Sequence, residues 1–433
     1  IVHSSPLFEG YDTDADPEFE YGVLYVGAND GMMHAFHADT GVELFAYVPN
    51  LVFDELNQLT EPEPNFRHRY FVDLTPHVKN TGSSAIDPLN HGKLLVSGLG
   101  KGGKGYFCLN VDDPLTMNED TPTWVKWEYP NSSSVAAEIN NMGYSYGQAF
   151  TVKAYTELPP TNGARWVTIF ANGYDSATET AALYIVDAGT GQLIRMIDTG
   201  VTGNNGLSTP LPVDIDADSR VDYVYAGDLN GNLWKFHLKD EDPNNWGVSH
   251  GSEVAGHIDG VVNPLDGEIP VPLFKATGRE RDFSDMTGPD YIWPYTSAVT
   301  WDQPITTQPA VIRHCVTSKD GYLVIFGTGR YLSEDDIDED AYNSIYAIWD
   351  FGTEPEDYLG PIQRGAVDMF SNPALEPNVE LLEQQIIAVV NNPSNPAQQL
   401  LVFSSYDPDW ATRPLTEAPT VHVGWFVDLS AFA

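Results

Sequence analysis

"GANDGMMHAFHADTGVELF", residues 27–45, carries two turn signals inside one apolar pattern. Asn29-Asp30-Gly31 breaks the run that begins at "GVLYVGA" (22–28), and Asp39-Thr40-Gly41 breaks the run that follows. Asn-Gly and Asp-Gly steps accept positive φ, so the pattern predicts a strand, a two-residue hairpin turn, a second strand and a second turn. Pieces of the phrase return along the chain. "AGDLNGNLWKFHL" (226–238) repeats the first half around Asn230-Gly231, and "ALYIVDAGTGQLIRMI" (182–197) repeats the second half around Thr190-Gly191. "GKGYFCLNVDDP" (104–114) and "NSIYAIWD" (343–350) are degenerate copies. Hairpins recurring at roughly 50–110 residue intervals read as blades of a β-propeller with long insertions. A sandwich of short strands is the rival, and the repeated turn-strand-turn phrase favours the propeller.

The rest of the chain has the same character. Further runs of β-branched and aromatic residues, bounded by Gly, Asn, Asp or Pro, predict strands at "KLLVSGL" (93–99), "RWVTIFA" (165–171), "VDYVYAG" (221–227), "YLVIFGTG" (322–329), "QLLVFSSY" (399–406) and "GWFVDL" (424–429). One helix is predicted at "NLVFDELNQLT" (50–60), capped by Asn50, with Val52, Phe53, Leu56 and Leu59 on one face. "VELLEQQIIAVV" (379–390) fits helix or strand. The expected class is all-β, with residues 1–433 forming a single propeller domain.

The 433 residues are 42% hydrophobic, ample for a core, and carry 62 acidic against 21 basic residues, a net charge of −41. That balance argues against nucleic acid or an anionic membrane as a direct partner, because both need basic surface. It fits a cation binder or a protein kept soluble in high salt. No apolar run is long enough to span a membrane. The opening "IVHSSPLFEGY" shows no signal peptide, and its abrupt strand-like start reads as part of a longer protein. Cys108 and Cys315 form no metal or haem motif, and the sequence leaves open whether they pair.

Several motifs have chemical and plain readings. "GYSYG" (143–147) matches GxSxG, but a strand-like segment follows where a nucleophile elbow needs a helix, so Ser145 is not expected to be a nucleophile. "GLGKGGKG" (98–105) contains GxGxxG, but Gly105 stands where a phosphate loop needs Ser or Thr, and the segment reads as a flexible glycine hairpin. His34 and His37 lie three apart on a strand and so point to opposite faces. The acidic residues Asp12, Asp14, Asp16, Glu18 and Glu20, and "SEDDIDEDAY" (333–342), read as solvated loops.

"DIDADSRVD" (214–222) differs from these. Calcium loops place oxygen ligands at alternating positions, with a peptide carbonyl at the seventh and a carboxylate further on. Asp214, Asp216 and Asp218 supply three carboxylates in that frame, Arg220 its carbonyl, and Asp222 the closing carboxylate. Ser219 holds the place usual for glycine. Hard oxygen donors in this number favour one Ca²⁺ over magnesium or zinc.

Together these segments resemble the C-terminal β-propeller of the PilC/PilY family, the type IV pilus biogenesis factors and tip adhesins. The resemblance rests on "VLYVGANDGMMHAFHADTGVELFAYVPN" (23–50), "GYSYGQ" (143–148), "LYIVDAGTGQLIRMIDTG" (183–200), "NGLSTPLPVDIDADSRVDYVYAGDLNGNLWKF" (205–236), "QPITTQPAV" (303–311) and "FGTGRYL" (326–332). The family's calcium loop lies in the fourth of these, in the same nine-residue frame. The resemblance implies a modified seven-bladed propeller with long inter-strand insertions and a few short helices. It implies an extracellular protein, reached through the periplasm and displayed at the pilus tip or outer cell surface. Its implied partners are minor pilins of the tip complex and a host or abiotic surface, and its implied role is calcium-tuned pilus extension and retraction, twitching motility and adhesion, without enzymatic activity. Two rivals remain in view. A quinone-dependent dehydrogenase shares the Asp-x-x-Thr-Gly turns but carries adjacent cysteines, and an integrin-like propeller repeats its metal loop in several blades.

Overall fold

The computed structural model of the chain describes residues 2–11, 20–62, 64–82, 90–120, 122–156, 164–252, 269–281, 295–316, 318–332, 336, 342–352, 379–384, 386–410 and 421–429. Of the acidic loops, Asp12, Asp14, Asp16, Glu18 and most of 333–342 lie outside these residues. The chain forms two compact units, one of residues 1–224 and 236–247, the other of residues 225–235 and 248–433. The division passes through the strands of one hairpin, Tyr223–Gly227 and Asn232–His237.

The first unit contains three consecutive four-stranded antiparallel meanders. The first is β1 (Leu7–Tyr11), β2 (Tyr21–Gly27), β3 (Met33–His37) and β4 (Glu43–Tyr47). The second is β5 (His77–Asn80), β6 (Lys93–Gly98), β7 (Tyr106–Asn110) and β8 (Val125–Tyr129). The third is β9 (Phe150–Ala154), β10 (Arg165–Ala171), β11 (Ala182–Asp187) and β12 (Leu193–Asp198). Strand side chains alternate between faces, and in the second sheet both faces are buried. Leu95, Phe107 and Leu109 enter a cluster with Val23, Tyr25, Met33 and Ala35 of the first sheet. Leu94, Val96, Tyr106 and Cys108 enter another with Phe170, Ala182, Tyr184 and Val186 of the third. Burial on both sides is why these strands read as continuous apolar runs. Each such side chain contributes about 1.5–3 kcal/mol.

The repeated phrases are repeated structures. His37 N–H donates to Val42 O and Asp187 N–H to Gln192 O, each at 2.8 Å. Ala38, Val111 and Ala188 N–H groups donate to Gly22, Lys93 and Trp166 carbonyls in turn. The third-to-fourth strand pairing shifts register in all three sheets, at Ala35/Phe36, Cys108/Leu109 and Ile185/Val186. The first turn departs from expectation. Gly27 pairs with Met33 and Ala28 N–H donates to Met32 O, so the loop holds three residues, Asn29, Asp30 and Gly31. Gly31, at φ +96°, takes the left-handed place that closes such a loop. Asp228 and Asn232 repeat that bond, with Gly231 at φ +79°.

Residues 50–60 form a 3-10 helix rather than the expected α-helix. Pro49, not Asn50, is the cap, and no side chain caps the helix. The three-residue turn breaks up the face drawn at a period of 3.6. Val52 is buried and Leu51 and Leu56 pack on the first cluster, but Phe53 and Leu59 face solvent. A six-residue α-helix, Ala136–Asn141, had no clear signal in the sequence.

In the second unit, strands 310–313, 322–327, 343–350, 421–429 and 379–384 form one sheet in that order. The last pair is parallel. Residues 379–384 and 386–392 are strands, which decides the ambiguous segment. Every run predicted as strand overlaps a strand. Among the described residues five sheets have four or more strands and three have two, so a count of seven blades is not read from them. Beneath the large sheet of this unit, Lys235 is 1% and Asp350 3% exposed. Asp350 Oδ2 accepts from Lys235 Nζ at 2.7 Å and from the Tyr225 hydroxyl at 2.5 Å. Lys235 Nζ also donates to Gly352 O at 2.8 Å.

Removing one partner of such a pair leaves an uncompensated buried charge, so Asp350→Ala lowers stability by about 3–5 kcal/mol. The double variant Lys235→Met/Asp350→Leu regains most of that loss. Urea unfolding of the single and double variants measures both, and a double variant as unstable as the single one contradicts the assignment.

Asp187 ties the second turn of the third sheet. Its Oδ1 accepts from Thr190 N–H and Oγ1 at 2.8 and 2.7 Å, and its Oδ2 from Arg165 Nε at 2.6 Å. Burial pushes the carboxyl up, but the Thr190 bonds and the Arg165 charge outweigh it and hold it below the usual range. A lowered folded pKa contributes stability above the unfolded value, near about pH 4, and loses it as acid titrates the folded group. The advantage of the wild type over Asp187→Asn is therefore full at neutral pH and shrinks below about pH 4. Thermal melts of both proteins against pH read this directly.

A candidate metal centre on the 214–222 loop

The loop leaves the short strand β13 (Leu211–Val213) and returns into β14 (Tyr223–Gly227). Asp222 anchors the return. Its N–H donates to Val213 O and its carbonyl accepts from Leu238 N–H, both at 2.9 Å, while Val221 N–H donates to Lys153 O at 2.8 Å. The Asp222 side chain is fully buried. Ahead of it the chain winds tightly, with Ala217 at φ +64° and Ser219 at φ +72°. Both are left-handed and neither is glycine, a cost the loop's own carboxylates offset. Asp214 accepts from the N–H groups of Ala217 and Ser219 at 2.7 Å each. Asp216 accepts from Asp218 N–H at 3.3 Å, and Asp218 from Arg220 N–H at 2.8 Å.

This winding gathers Asp214, Asp216 and Asp218, each exposed, so that one carboxylate oxygen from each lies within 4.8 Å of the others. It is the one such group of three or more metal-binding side chains among the described residues. Asp222 stands outside that group. Its Oδ2 accepts from Ile215 N–H at 2.7 Å, and its Oδ1 lies 3.3 Å from the Tyr155 hydroxyl and 3.2 Å from Lys239 Nζ. Arg220 turns its guanidinium onto Asp218 Oδ2, with Nε and Nη2 each at 2.9 Å, and stacks 4.2 Å from the Tyr155 ring. Hydrogen bonding from Tyr155 is the largest influence on Asp218; with Arg220 it overcomes slight desolvation and lowers the carboxyl's pKa. Lys239, bonded first to Asp216 and then to Asp222, is held more strongly protonated than an ordinary lysine.

The donor set suits a hard cation. All four side chains offer carboxylate oxygens, an oxygen that accepts one N–H keeps a second lone pair, and the oxygens of Asp216 and Asp222 already face a positive charge. Tyr155 and Lys239 were not found in the sequence. Tyr155 comes from the end of β9, far along the chain, and nothing in its surroundings marks it. Lys239 had a signal. Hairpin pairing sets Leu238 opposite Asp222, which brings the next residue beside the loop.

The other motifs that fall among the described residues are engaged in packing and hydrogen bonds. Ser145 is fully buried, and its Oγ accepts from Leu99 N–H at 3.0 Å and donates to Gly105 O at 2.8 Å. GxSxG thus staples the glycine loop rather than arming a nucleophile. That loop is packed, not flexible, since a Cβ on Gly102 would lie 2.0 Å from Phe71 O. His34 bonds to Asp30 and Glu43, while His37 stacks on Tyr21. Cys108 is a buried free thiol and Cys315 an exposed one.

A family profile described as the PilY1 beta-propeller domain matches residues 10–271 and 286–376. The chain belongs to the PilY1 β-propeller family. It is 33% identical over 420 residues to a type IV pilus biogenesis factor PilY1 homolog of Xylella fastidiosa, covering 94% of this chain and 22% of that protein. It is 33% identical over 388 residues to type IV pilus biogenesis factor PilY1 of Pseudomonas aeruginosa, covering 82% of this chain and 29% of that one. The chain therefore spans less than a third of the curated relatives it matches. The crystal structure of the Pseudomonas aeruginosa PilY1 C-terminal domain superposes with a TM-score of 0.65 at 28% identity, covering 95% of this chain and 72% of that one. The all-β propeller class expected from the repeated hairpins is that of the PilY1 domain. Among the described residues no helix is long and apolar enough to cross a membrane.

The left-handed backbone at Ser219 gives a local test. Ser219→Gly keeps the N–H that Asp214 accepts and preserves or raises protection of the loop amides. Ser219→Val, β-branched in that conformation, weakens the loop by about 1–2 kcal/mol. Hydrogen exchange of the 214–221 amides measures the difference.

Proposed function

We propose that this chain is the calcium-binding propeller of a type IV pilus biogenesis factor, displayed outside the cell on the pilus. There one Ca²⁺ on Asp214, Asp216, Asp218, Asp222 and the Arg220 carbonyl tunes pilus extension and retraction, twitching motility and surface adhesion. The observation that carries the reading is the gathering of three carboxylates within 4.8 Å on one wound loop. Charge supports it. Four aspartates against Arg220 leave the loop at −3, which a divalent ion reduces to −1. When bound, the ion supplies that charge and a preference for several oxygen ligands at once. The residues themselves hold the frame: Asp222 fixes the return strand, Asp214 the left-handed turn, and Tyr155 the orientation of Asp218.

Membership of the PilY1 family supports pilus partners, with minor pilins of the tip complex and a host or abiotic surface as the contacts proposed. A role without catalysis is supported by the commitment of Ser145 and Asp187 to structural hydrogen bonds. The Asp-x-x-Thr-Gly turn of the dehydrogenase reading is used in the same way.

Calorimetric titration with CaCl₂ should give one site per chain. Asp216→Ala, at an exposed ligand, should bind at least about tenfold more weakly with unfolding in EDTA unchanged. Asp222→Ala should also lose binding and in addition lose stability, because the Ile215 N–H loses the carboxylate that ties the loop's entry to its return strand. Cells carrying these variants in the full-length protein should pilate and twitch as calcium-depleted cells do. Unchanged affinity in both variants would remove the ligand assignment. Lost affinity with normal motility would leave the ion a structural role only.

A further inference from the structure

Lys239 follows β15 (Asn232–His237) at the start of a segment that is fixed a few residues on. Trp246, fully buried, donates its Nε1–H to Asp240 O at 2.8 Å, and its carbonyl accepts from Arg195 Nε at 3.2 Å. With Leu238 bonded to Asp222 on the other side, the Lys239 backbone is held at both ends. Its side chain is not buried. It is 40% exposed and reaches over the loop, where the ammonium bonds Asp216 Oδ2 and lies 3.2 Å from Asp222 Oδ1.

Those two oxygens are the ones at issue. Asp222 Oδ2 accepts from Ile215 N–H, whereas Oδ1 faces the Lys239 ammonium at 3.2 Å and the Tyr155 hydroxyl at 3.3 Å, so Oδ1 is the oxygen whose cationic neighbour an ion would replace. Asp216 is one of the three gathered carboxylates. A single ammonium therefore bridges a ligand inside the carboxylate group and the ligand outside it. An ammonium and a divalent ion compete for those oxygens, because two cations held in contact with the same carboxylates repel each other. Arg220 is placed differently. It bonds Asp218 Oδ2, with its guanidinium stacked on Tyr155.

We propose that Lys239 is a tethered competitor for the calcium site. Ion entry expels its ammonium from Asp216 and Asp222 into solvent, and Asp222 then closes the shell. The inference rests on the calcium reading above and adds a regulatory residue to it. The lysine keeps the buried Asp222 charge paired when the ion is away. It also weakens apparent affinity, so the site responds to rising calcium instead of staying filled. The exchange needs side-chain rotation only, since the backbone on both sides is fixed.

Two readouts on the full chain test this. Lys239→Met removes the ammonium and keeps the aliphatic stem, and in titration calorimetry with CaCl₂ it should bind about tenfold more tightly than the wild type. Separately, the reactivity of Lys239 toward reductive methylation, followed by mass spectrometry, should be low in EDTA and rise several-fold on adding calcium, while other lysines stay unchanged. A wild type that binds calcium with unaltered Lys239 reactivity overturns the competitor, even where Lys239→Met binds more tightly through charge alone. Weaker binding by Lys239→Met overturns it too, by making the lysine an organiser of the loop. If neither protein binds calcium, the calcium reading itself fails, and the competitor with it.

Discussion

Side chains of β6 and β7 leave their sheet alternately toward two separate apolar clusters, and each cluster is completed only by the sheet beyond it. A lone four-stranded meander of this kind has two apolar faces and no solvent face, so it is not stable by itself. Neighbouring sheets supply the missing walls. That dependence sets the sequence rules of the first unit: largely apolar inner strands, with Asp, Glu, Lys and Arg at strand ends, in turns and on edge strands. It also leaves some loops, 214–222 among them, free to carry something else, because their residues take no part in either cluster.

The 214–222 loop uses that freedom under tight backbone control. The peptide of Asp222 is bonded on both sides, and the residues ahead of it are wound into a turn that two non-glycine residues enter at positive φ. Backbone N–H groups, a phenol, a guanidinium and an ammonium share the task of keeping four carboxylates together. On the calcium reading proposed above, exchanging the ammonium for a divalent ion needs no rebuilding of the strands.

Period-2 runs and turn residues made the strands legible, and the repeated phrases made the blades legible, because the same backbone bonds recur wherever the phrase does. Turn length was less visible. Asp30-Gly31 and Asn230-Gly231 pointed to two-residue turns, but the left-handed glycine closes a three-residue loop, a difference that lies in register and not in residue type. The helix at 50–60 was placed well and typed wrongly, since a few apolar residues fit both a 3.6 and a 3.0 period over so short a length. At the metal loop, alternation gave the three gathered aspartates. Arg220 lies in the loop itself, while Tyr155 and Lys239 come from other parts of the chain, and of these two only Lys239 could have been found, through the hairpin register. Ser145 shows the reverse case, a pattern with a chemical meaning elsewhere that here binds a glycine loop.

The large sheet of the second unit has a different history built into its order. The first unit's meanders each consist of strands that follow one another, so each can close as soon as its own segment is available. In the second unit, strand 421–429 lies between 343–350 and 379–384, pairing Asn343 with Leu429 on one side and Val379 with Val421 on the other. That strand, fourth of the five across the sheet, is the last of them in the sequence. A chain delivered from its N-terminus can complete its early blades in turn, but strands 343–350 and 379–384 must wait with open edges until 421–429 arrives. Folding of this sheet is therefore non-local and slow relative to the rest, and its unpaired edges are the part of the molecule most in need of protection before the last strand arrives.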